Sequence, residues 1–126
     1  MSTILIVEDN ERNMKLVRDI LQYRGYKTLE AATGGEGVRL ALEQRPDLVL
    51  MDIQLPDIDG ITALGLIRRD TSLDAMPVLA VSASVMPEEQ QKVVGSGFDA
   101  FITKPINLKQ FVATVDRFLA DGRAAR

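Results

Sequence analysis

An apolar run that ends in a carboxylate, Leu48-Val49-Leu50-Met51-Asp52, limits the folds open to this chain. A short unbroken apolar run is typical of a parallel strand buried on both faces. The strand should end at Asp52, because Pro, Asp and Gly in residues 53–60 favour a loop. In open α/β sheets, ligands bind at the carboxyl ends of the strands. Asp52 is therefore a candidate site residue, although a solvated strand end or a helix cap explains this residue equally well on its own.

Four further stretches have the composition of strands, and a helical pattern follows each of the five. The predicted strands cover residues 4–7, 27–32, 48–52, 78–81 with Ser82 at the end, and 98–102. Each crossover is long enough for a right-handed βαβ connection, which predicts an α/β fold with a five-stranded parallel sheet and helices on both faces. Strand 27–32 is the least apolar and should lie at an edge. One domain should span residues 1–121, and residues 122–126 should fray.

Helix boundaries can be assigned from capping and breaking residues. Asn10 is a candidate N-cap for the first helix, Gly25 should end that helix, and Pro46 should end the second. Gly65 inside the third helix lowers helix propensity, which indicates that a neighbour closely approaches its backbone. The fourth helix has few bulky apolar residues and should be the least firmly held.

Composition excludes several classes of function. The 126 residues carry a net charge of -3 and a pI near 4.9, which argues against direct nucleic-acid binding. Without Cys or His, the chain has no disulfide, no thiolate and no phosphohistidine of its own. No apolar run approaches membrane-spanning length, and no signal-type segment precedes the first strand, so we expect a cytoplasmic protein without membrane insertion.

A glycine-rich segment, Thr33-Gly34-Gly35-Glu36-Gly37, has a superficial likeness to a phosphate-binding loop. It lacks the Gly-Lys-Ser/Thr of a P-loop and does not match the dinucleotide-binding fingerprint. A turn followed by a helix start is therefore the favoured interpretation.

Polar residues follow four of the predicted strands where the strands end. They are Glu8 and Asp9 after the first strand, Asp52 on the third, Ser82 on the fourth and Lys104 after the fifth. Crowded carboxylates repel one another unless a cation holds them, and oxygen ligands without His or Cys suit Mg²⁺. A lysine and a hydroxyl beside such a site suit phosphoryl transfer, and a carboxylate nucleophile would give an aspartyl phosphate. Each residue alone has an ordinary explanation, such as a cap of the first helix for Glu8 and Asp9, but their joint occurrence favours a functional site.

Four segments together resemble the signatures of the response-regulator receiver domain, which has the CheY-like fold. They are Ile6-Val7-Glu8-Asp9-Asn10, the run from Leu50 to Pro56 with Asp59-Gly60, Val81-Ser82-Ala83, and Thr103-Lys104-Pro105. The resemblance extends over about residues 4–119 and implies a flavodoxin-like (βα)5 domain with strand order 2-1-3-4-5. Within the family, residues 8–16 and 51–56 are most similar to a stand-alone cell-division regulator.

The resemblance implies a role for each site residue. Asp52 would be the phosphoacceptor. Asp9, Asp52 and the backbone carbonyl of Gln54 would bind Mg²⁺ directly, and Glu8 would act largely through a bound water. Lys104 would contact the phosphoryl group, and the peptide bond that follows it would be cis.

The resemblance also implies a switch. Ser82 would be the switch hydroxyl and Phe101 the coupled aromatic residue, a position that is often Tyr. Because Phe lacks the phenolic hydroxyl, the hydrogen bond that such a Tyr makes is not available here. Gln54 and Ser84 would flank the phosphoryl group and tune its lifetime.

The expected function is therefore a response regulator of bacterial two-component signalling. It would take a phosphoryl group from a phosphohistidine on a sensor kinase or a phosphotransfer protein and then bind a target protein through helix 4, strand 5 and helix 5. It would not be a turnover enzyme. An alternative is a phosphorylation-independent adaptor with the same fold. A magnesium-dependent phosphatase is disfavoured, because the second Asp that such enzymes use two residues after the nucleophile is Gln54 here.

Overall fold

Five parallel strands form the centre of the molecule in the computed structural model, which describes residues 2–83 and 86–125. The strands are β1 (Thr3–Val7), β2 (Lys27–Ala31), β3 (Leu48–Asp52), β4 (Val78–Ser82) and β5 (Ala100–Thr103). The helices are α1 (Glu11–Tyr23), α2 (Gly34–Gln44), α3 (Gly60–Arg68), α4 (Pro87–Gly95) and α5 (Leu108–Asp121), with a 3₁₀ turn at Thr71–Leu73. The order β2-β1-β3-β4-β5 confirms the predicted fold class and the edge position of β2.

Two apolar layers hold the helices against the sheet. Successive residues of a strand point to opposite faces. On one face, Val49 and Met51 belong to a core shared with α2, α3 and α4. On the other face, Leu48 and Leu50 belong to a core shared with α1 and α5. All five residues of β3 are buried, so this strand brings its last residue, Asp52, out of the centre of the sheet to its carboxyl edge.

Capping residues fix where the helices begin. The predicted N-cap Asn10 is confirmed, because its side chain accepts a hydrogen bond from the Asn13 amide. In contrast, α4 begins at Pro87 without a side-chain cap and has Val93 as its buried residue. Its weak attachment stays a prediction. None of the helices within residues 2–83 and 86–125 has the length and apolarity that crossing a membrane requires.

The structure differs from the sequence-based expectation at Gly65 and at the start of the last strand. The close approach expected at Gly65 is wrong, since a Cβ at that position would meet no heavy atom of the described residues within 4 Å. Close approaches occur at other glycines, among them Gly37, where a Cβ would lie 2.7 Å from Cγ2 of Val7. The last strand begins at Ala100 rather than Phe98, and Phe98 is fully buried in the segment that precedes the strand.

The C-terminal residues form a short 3₁₀ helix at Gly122–Ala125, and their fraying stays a prediction. The Arg123 side chain holds this helix in place, because its Nε donates a hydrogen bond to Oδ1 of the buried Asp99 at 2.8 Å. A hydrogen bond from Nη1 of Arg123 to the Asp74 carbonyl adds a second attachment. The described part of the tail is therefore tied to the body of the molecule, and Arg126 lies outside the described residues.

Candidate functional site

The carboxyl edge of the sheet brings three carboxylates together. Glu8 and Asp9 follow β1, and Asp52 ends β3, its neighbour in the sheet. One carboxylate oxygen from each of the three residues lies within 4.8 Å of the others. Glu8 and Asp52 are each 5% exposed, whereas Asp9 is exposed. The result is an acidic site with two shielded carboxylates and one that faces solvent.

Lys104 provides the positive charge in this site. Its Nζ lies 2.8 Å from Oε1 of Glu8 and 3.0 Å from Oδ2 of Asp52. Its backbone N–H donates to the Ser82 carbonyl at 2.9 Å, which attaches the end of β5 to the end of β4. The Lys104–Pro105 peptide bond is cis, as the resemblance implied. The ammonium group is thus held between the two shielded carboxylates.

Burial and neighbouring charges shift the protonation of this cluster. Burial raises the pKa of Glu8 above its ordinary value, and the adjacent Asp52 raises it further, whereas Lys104 opposes the shift. Burial alone would lower the pKa of Lys104, but its hydrogen bonds to Glu8 and Asp52 outweigh that effect and raise it. Lys104 therefore stays a cation at neutral pH, and Glu8 holds a proton more readily than an exposed glutamate.

The donor set fits a hard divalent cation. The three clustered carboxylates offer oxygen ligands only, and the chain contains no His or Cys. Mg²⁺ prefers one or two carboxylates together with water and phosphate oxygens. The backbone N–H of Gln54 donates to Oδ1 of Asp52 at 3.0 Å, so the backbone of Gln54 lies directly beside the Asp52 carboxylate. Glu8, Asp9 and Asp52 could together hold such an ion.

Ser82 and Phe101 occupy the two strands next to the acidic cluster. Ser82 ends β4 and is 5% exposed. Phe101 is half-buried on β5, packs against the core and lines an open groove with Pro87 and Val94 of α4. Phe101 therefore lies beside α4. Ser84, predicted to flank the phosphoryl group, lies outside the described residues.

The glycine-rich segment begins α2, as predicted. The group that its backbone amides bind is a carboxylate of this protein, Asp57. The amides of Gly34 and Gly35 donate to Oδ1 and Oδ2 of Asp57, each at 2.8 Å. The Gly35 amide, with those of Ile58 and Gly34, lowers the pKa of Asp57. Sequence reasoning treated Asp57 only as a loop residue. Its partners lie 23 and 22 positions away, and the sequence pattern contains no signal for this pairing.

Comparisons with known proteins agree with this geometry. The response regulator receiver domain family matches residues 4–116. The polar-differentiation response regulator DivK of Brucella anthropi is 42% identical over 119 residues, which are 94% of this chain and 97% of that protein. DivK of Brucella ovis is 41% identical with the same coverage.

Solved structures show the same fold. The receiver domain of the sensor histidine kinase PA1611 from Pseudomonas aeruginosa, with magnesium coordinated in its active site cleft, superposes with a TM-score of 0.88 at 29% identity, covering 95% of this chain and 98% of that one. The chemotaxis protein CheY4 of Vibrio cholerae superposes with a TM-score of 0.86 at 26% identity, covering 93% and 98%.

Proposed function

Since this chain belongs to the response regulator receiver family of two-component signalling, we propose that Asp52 accepts a phosphoryl group from a phosphohistidine on a sensor kinase or a phosphotransfer protein. The observation that carries the proposal is the position of Lys104 Nζ, 3.0 Å from Asp52 Oδ2 and within an acidic cluster at the carboxyl edge of the sheet. A phosphoryl group on that carboxylate would lie within reach of the ammonium group.

The transfer forms one bond and breaks one. A carboxylate oxygen of Asp52 attacks phosphorus, and the phosphorus–nitrogen bond to the donor imidazole breaks, with the electron pair remaining on that nitrogen. Lys104 stabilises negative charge on the phosphoryl oxygens as they approach Asp52. Asp9, Asp52 and the Gln54 carbonyl would hold Mg²⁺, with Glu8 acting through a water. The bound ion would supply further positive charge for the phosphoryl oxygens.

Phosphorylation then changes the binding surface. It replaces a carboxylate by a group of about -1.5 to -2 charge with three acceptor oxygens. The Ser82 hydroxyl moves to donate to one of these oxygens, and Phe101 turns inward from its groove with α4. The surface formed by α4, β5 and α5 is altered, and a target protein in the cytoplasm recognises it without direct contact to nucleic acid. Each phosphoryl group is accepted once and lost by hydrolysis, so the protein is not a turnover enzyme.

The proposal is tested by intact mass after incubation with acetyl phosphate, with and without Mg²⁺. We expect one phosphoryl adduct on the wild type that needs Mg²⁺ and is absent from Asp52→Asn. Asp59→Asn is the matched control, because Asp59 is an exposed carboxylate of the same loop whose side chain caps α3. It should be phosphorylated like the wild type. An equal adduct on Asp52→Asn would show that Asp52 is not the acceptor.

Beryllofluoride provides a second probe that needs no phosphoryl donor. We expect it to shift the amide NMR signals around Asp52 in the presence of Mg²⁺. A wild type that neither gains an adduct nor responds to beryllofluoride would contradict the proposal and favour the phosphorylation-independent adaptor.

A further inference from the structure

The loop that follows the candidate phosphoacceptor is attached to a second helix by Asp57. Residues 53–59 connect β3 to α3 and contain Gln54, whose carbonyl is a proposed Mg²⁺ ligand. The two carboxylate oxygens of Asp57 accept the first two amides of α2, from Gly34 and Gly35, both at 2.8 Å. These amides have no acceptor within their own helix, and a carboxylate at a helix N-terminus is electrostatically favourable. Asp57 is therefore a two-point attachment of the loop to α2.

Direct packing supports the same attachment. A Cβ at Gly34 would lie 2.5 Å from Cγ1 of Ile58 and 3.1 Å from the Ile58 carbonyl oxygen. Only a residue without a side chain lets the start of α2 come this close to the loop backbone. The loop is thus held by a carboxylate and by a glycine contact at adjacent positions.

The segment between Gln54 and Asp57 is short and stiff. Three residues span at most about 10 Å, so the Gln54 backbone stays within this distance of Asp57. Pro56 fixes its own φ angle and restricts Leu55 before it to extended conformations. At the other end of the segment, the backbone N–H of Gln54 donates a hydrogen bond to Oδ1 of Asp52. The restricted backbone of Leu55 and Pro56 therefore limits how far a change at Asp57 can be absorbed before it reaches Gln54.

We propose that Asp57 is a positioning residue for the metal site, which fixes the loop to the start of α2 and so holds the Gln54 carbonyl in place for Mg²⁺. The inference rests on the proposed function, because it takes the Gln54 carbonyl as a metal ligand. Residues that orient metal ligands without touching the ion commonly change metal affinity by 10–100-fold. For the loss of Asp57, which acts through the backbone, we expect the lower end, about tenfold weaker Mg²⁺ binding.

The test is an Mg²⁺ titration followed by amide NMR, a readout that does not depend on phosphorylation. We expect Asp57→Ala to raise the Mg²⁺ dissociation constant about tenfold. Asp57→Asn keeps one acceptor oxygen and should give a smaller increase. It also provides the comparison if Asp57→Ala does not give a folded spectrum. The matched control is Asp70→Ala, because Asp70 caps the 3₁₀ turn Thr71–Leu73 through the Ser72 amide at 3.0 Å.

Asp70→Ala also removes a capping carboxylate and lowers stability, but it should bind Mg²⁺ like the wild type. Wild-type affinity in folded Asp57 variants would overturn the inference, and so would an equal loss of affinity in Asp70→Ala, which would trace the effect to stability alone. A wild type that does not bind Mg²⁺ would overturn the metal part of the proposed function and the inference with it. That failure is visible before any variant is compared.

Discussion

Lys104 is the residue on which the charge balance of the site depends. Its ammonium group lies within 3.0 Å of both Glu8 and Asp52, whose side chains are 5% and 6% exposed. Without divalent metal, Lys104→Met leaves two shielded carboxylates facing each other without their cation. Because the Lys104 side chain is 19% exposed, we expect a smaller loss than for a fully buried pair, about 2 kcal/mol in the free energy of unfolding at pH 7, measured by urea denaturation. Lys109→Met is the control, since Lys109 is exposed on α5.

The pH dependence of this loss has a definite sign. The folded-state pKa of Glu8 is raised, so its contribution to stability is fully present below its unfolded pKa and is lost as pH rises through the folded value. Removing Lys104 removes the group that opposes this shift and raises the pKa of Glu8 further. The deficit of Lys104→Met should therefore be smaller at pH 4 than at pH 7. A deficit independent of pH would contradict this account of the cluster.

At the scale of the elements, two helical glycines differ in their surroundings: Gly37 is closely packed, whereas Gly65 faces open space. A Cβ at Gly37 in α2 would lie 2.7 and 2.9 Å from two methyl carbons of Val7, which is 1% exposed in β1. Gly37→Ala must push α2 away from the sheet and should lose about 2 kcal/mol of unfolding free energy. Gly65→Ala, exposed on α3, should gain about 0.5–1 kcal/mol from helix propensity.

Urea unfolding followed by far-UV circular dichroism measures both variants, because the chain has no Trp for fluorescence. Opposite signs are the expected result. A loss of stability in Gly65→Ala equal to that in Gly37→Ala would show that the space around α3 is not open in solution.

The elements could be predicted from the sequence because their signals are local. Apolar runs and helical spacing gave five strands and five helices in the observed order, and the capping side chain of Asn10 was recognisable. The predictions failed where contacts between residues distant in the sequence determine the local structure. Phe98 is apolar and its composition predicts a strand, yet it precedes β5. The close approach predicted at Gly65 is absent, whereas Gly37 has one because β1 lies against it.

In the candidate site, too, local signals could be predicted from the sequence and contacts between distant elements could not. Glu8, Asp52 and Lys104 could be placed together because each stands at the end of a strand, and parallel strands end at one edge. The contacts of Asp57 could not, because nothing in the sequence says which helix its loop will touch. Periodicity and motif spacing do not predict the role of a side chain when that role depends on a partner in another element.

At the scale of the whole molecule, the amino edge of the sheet carries a second polar cluster around Asp99, opposite the candidate site. The Asp99 side chain is fully buried and accepts hydrogen bonds from the Val78 amide, Arg68 and Arg123. Arg68 also donates to two backbone carbonyls, at Leu73 and Met76. One carboxylate thus joins α3, β4, β5 and the C-terminal 3₁₀ helix, elements that are distant in the sequence.

Asp99→Asn should therefore destabilise the whole fold. Two arginines would face a neutral amide in a buried setting, and breaking such a pair costs about 3 kcal/mol. Asp116→Asn is the matched control, because Asp116 also accepts hydrogen bonds from an arginine, Arg24, and from a second residue, Tyr26, but its side chain is 33% exposed. We expect that control to lose no more than about 1 kcal/mol in urea unfolding.

Because Asp99 lies at the edge remote from Asp52, folded Asp99→Asn should bind Mg²⁺ with wild-type affinity despite its lower stability. Equal losses of stability in the two Asn variants would show that burial does not strengthen the Asp99 cluster. A weakened Mg²⁺ affinity in Asp99→Asn would show that the two edges are coupled through the sheet. The expected separation means that the amino edge holds the elements together while the carboxyl edge is left for chemistry.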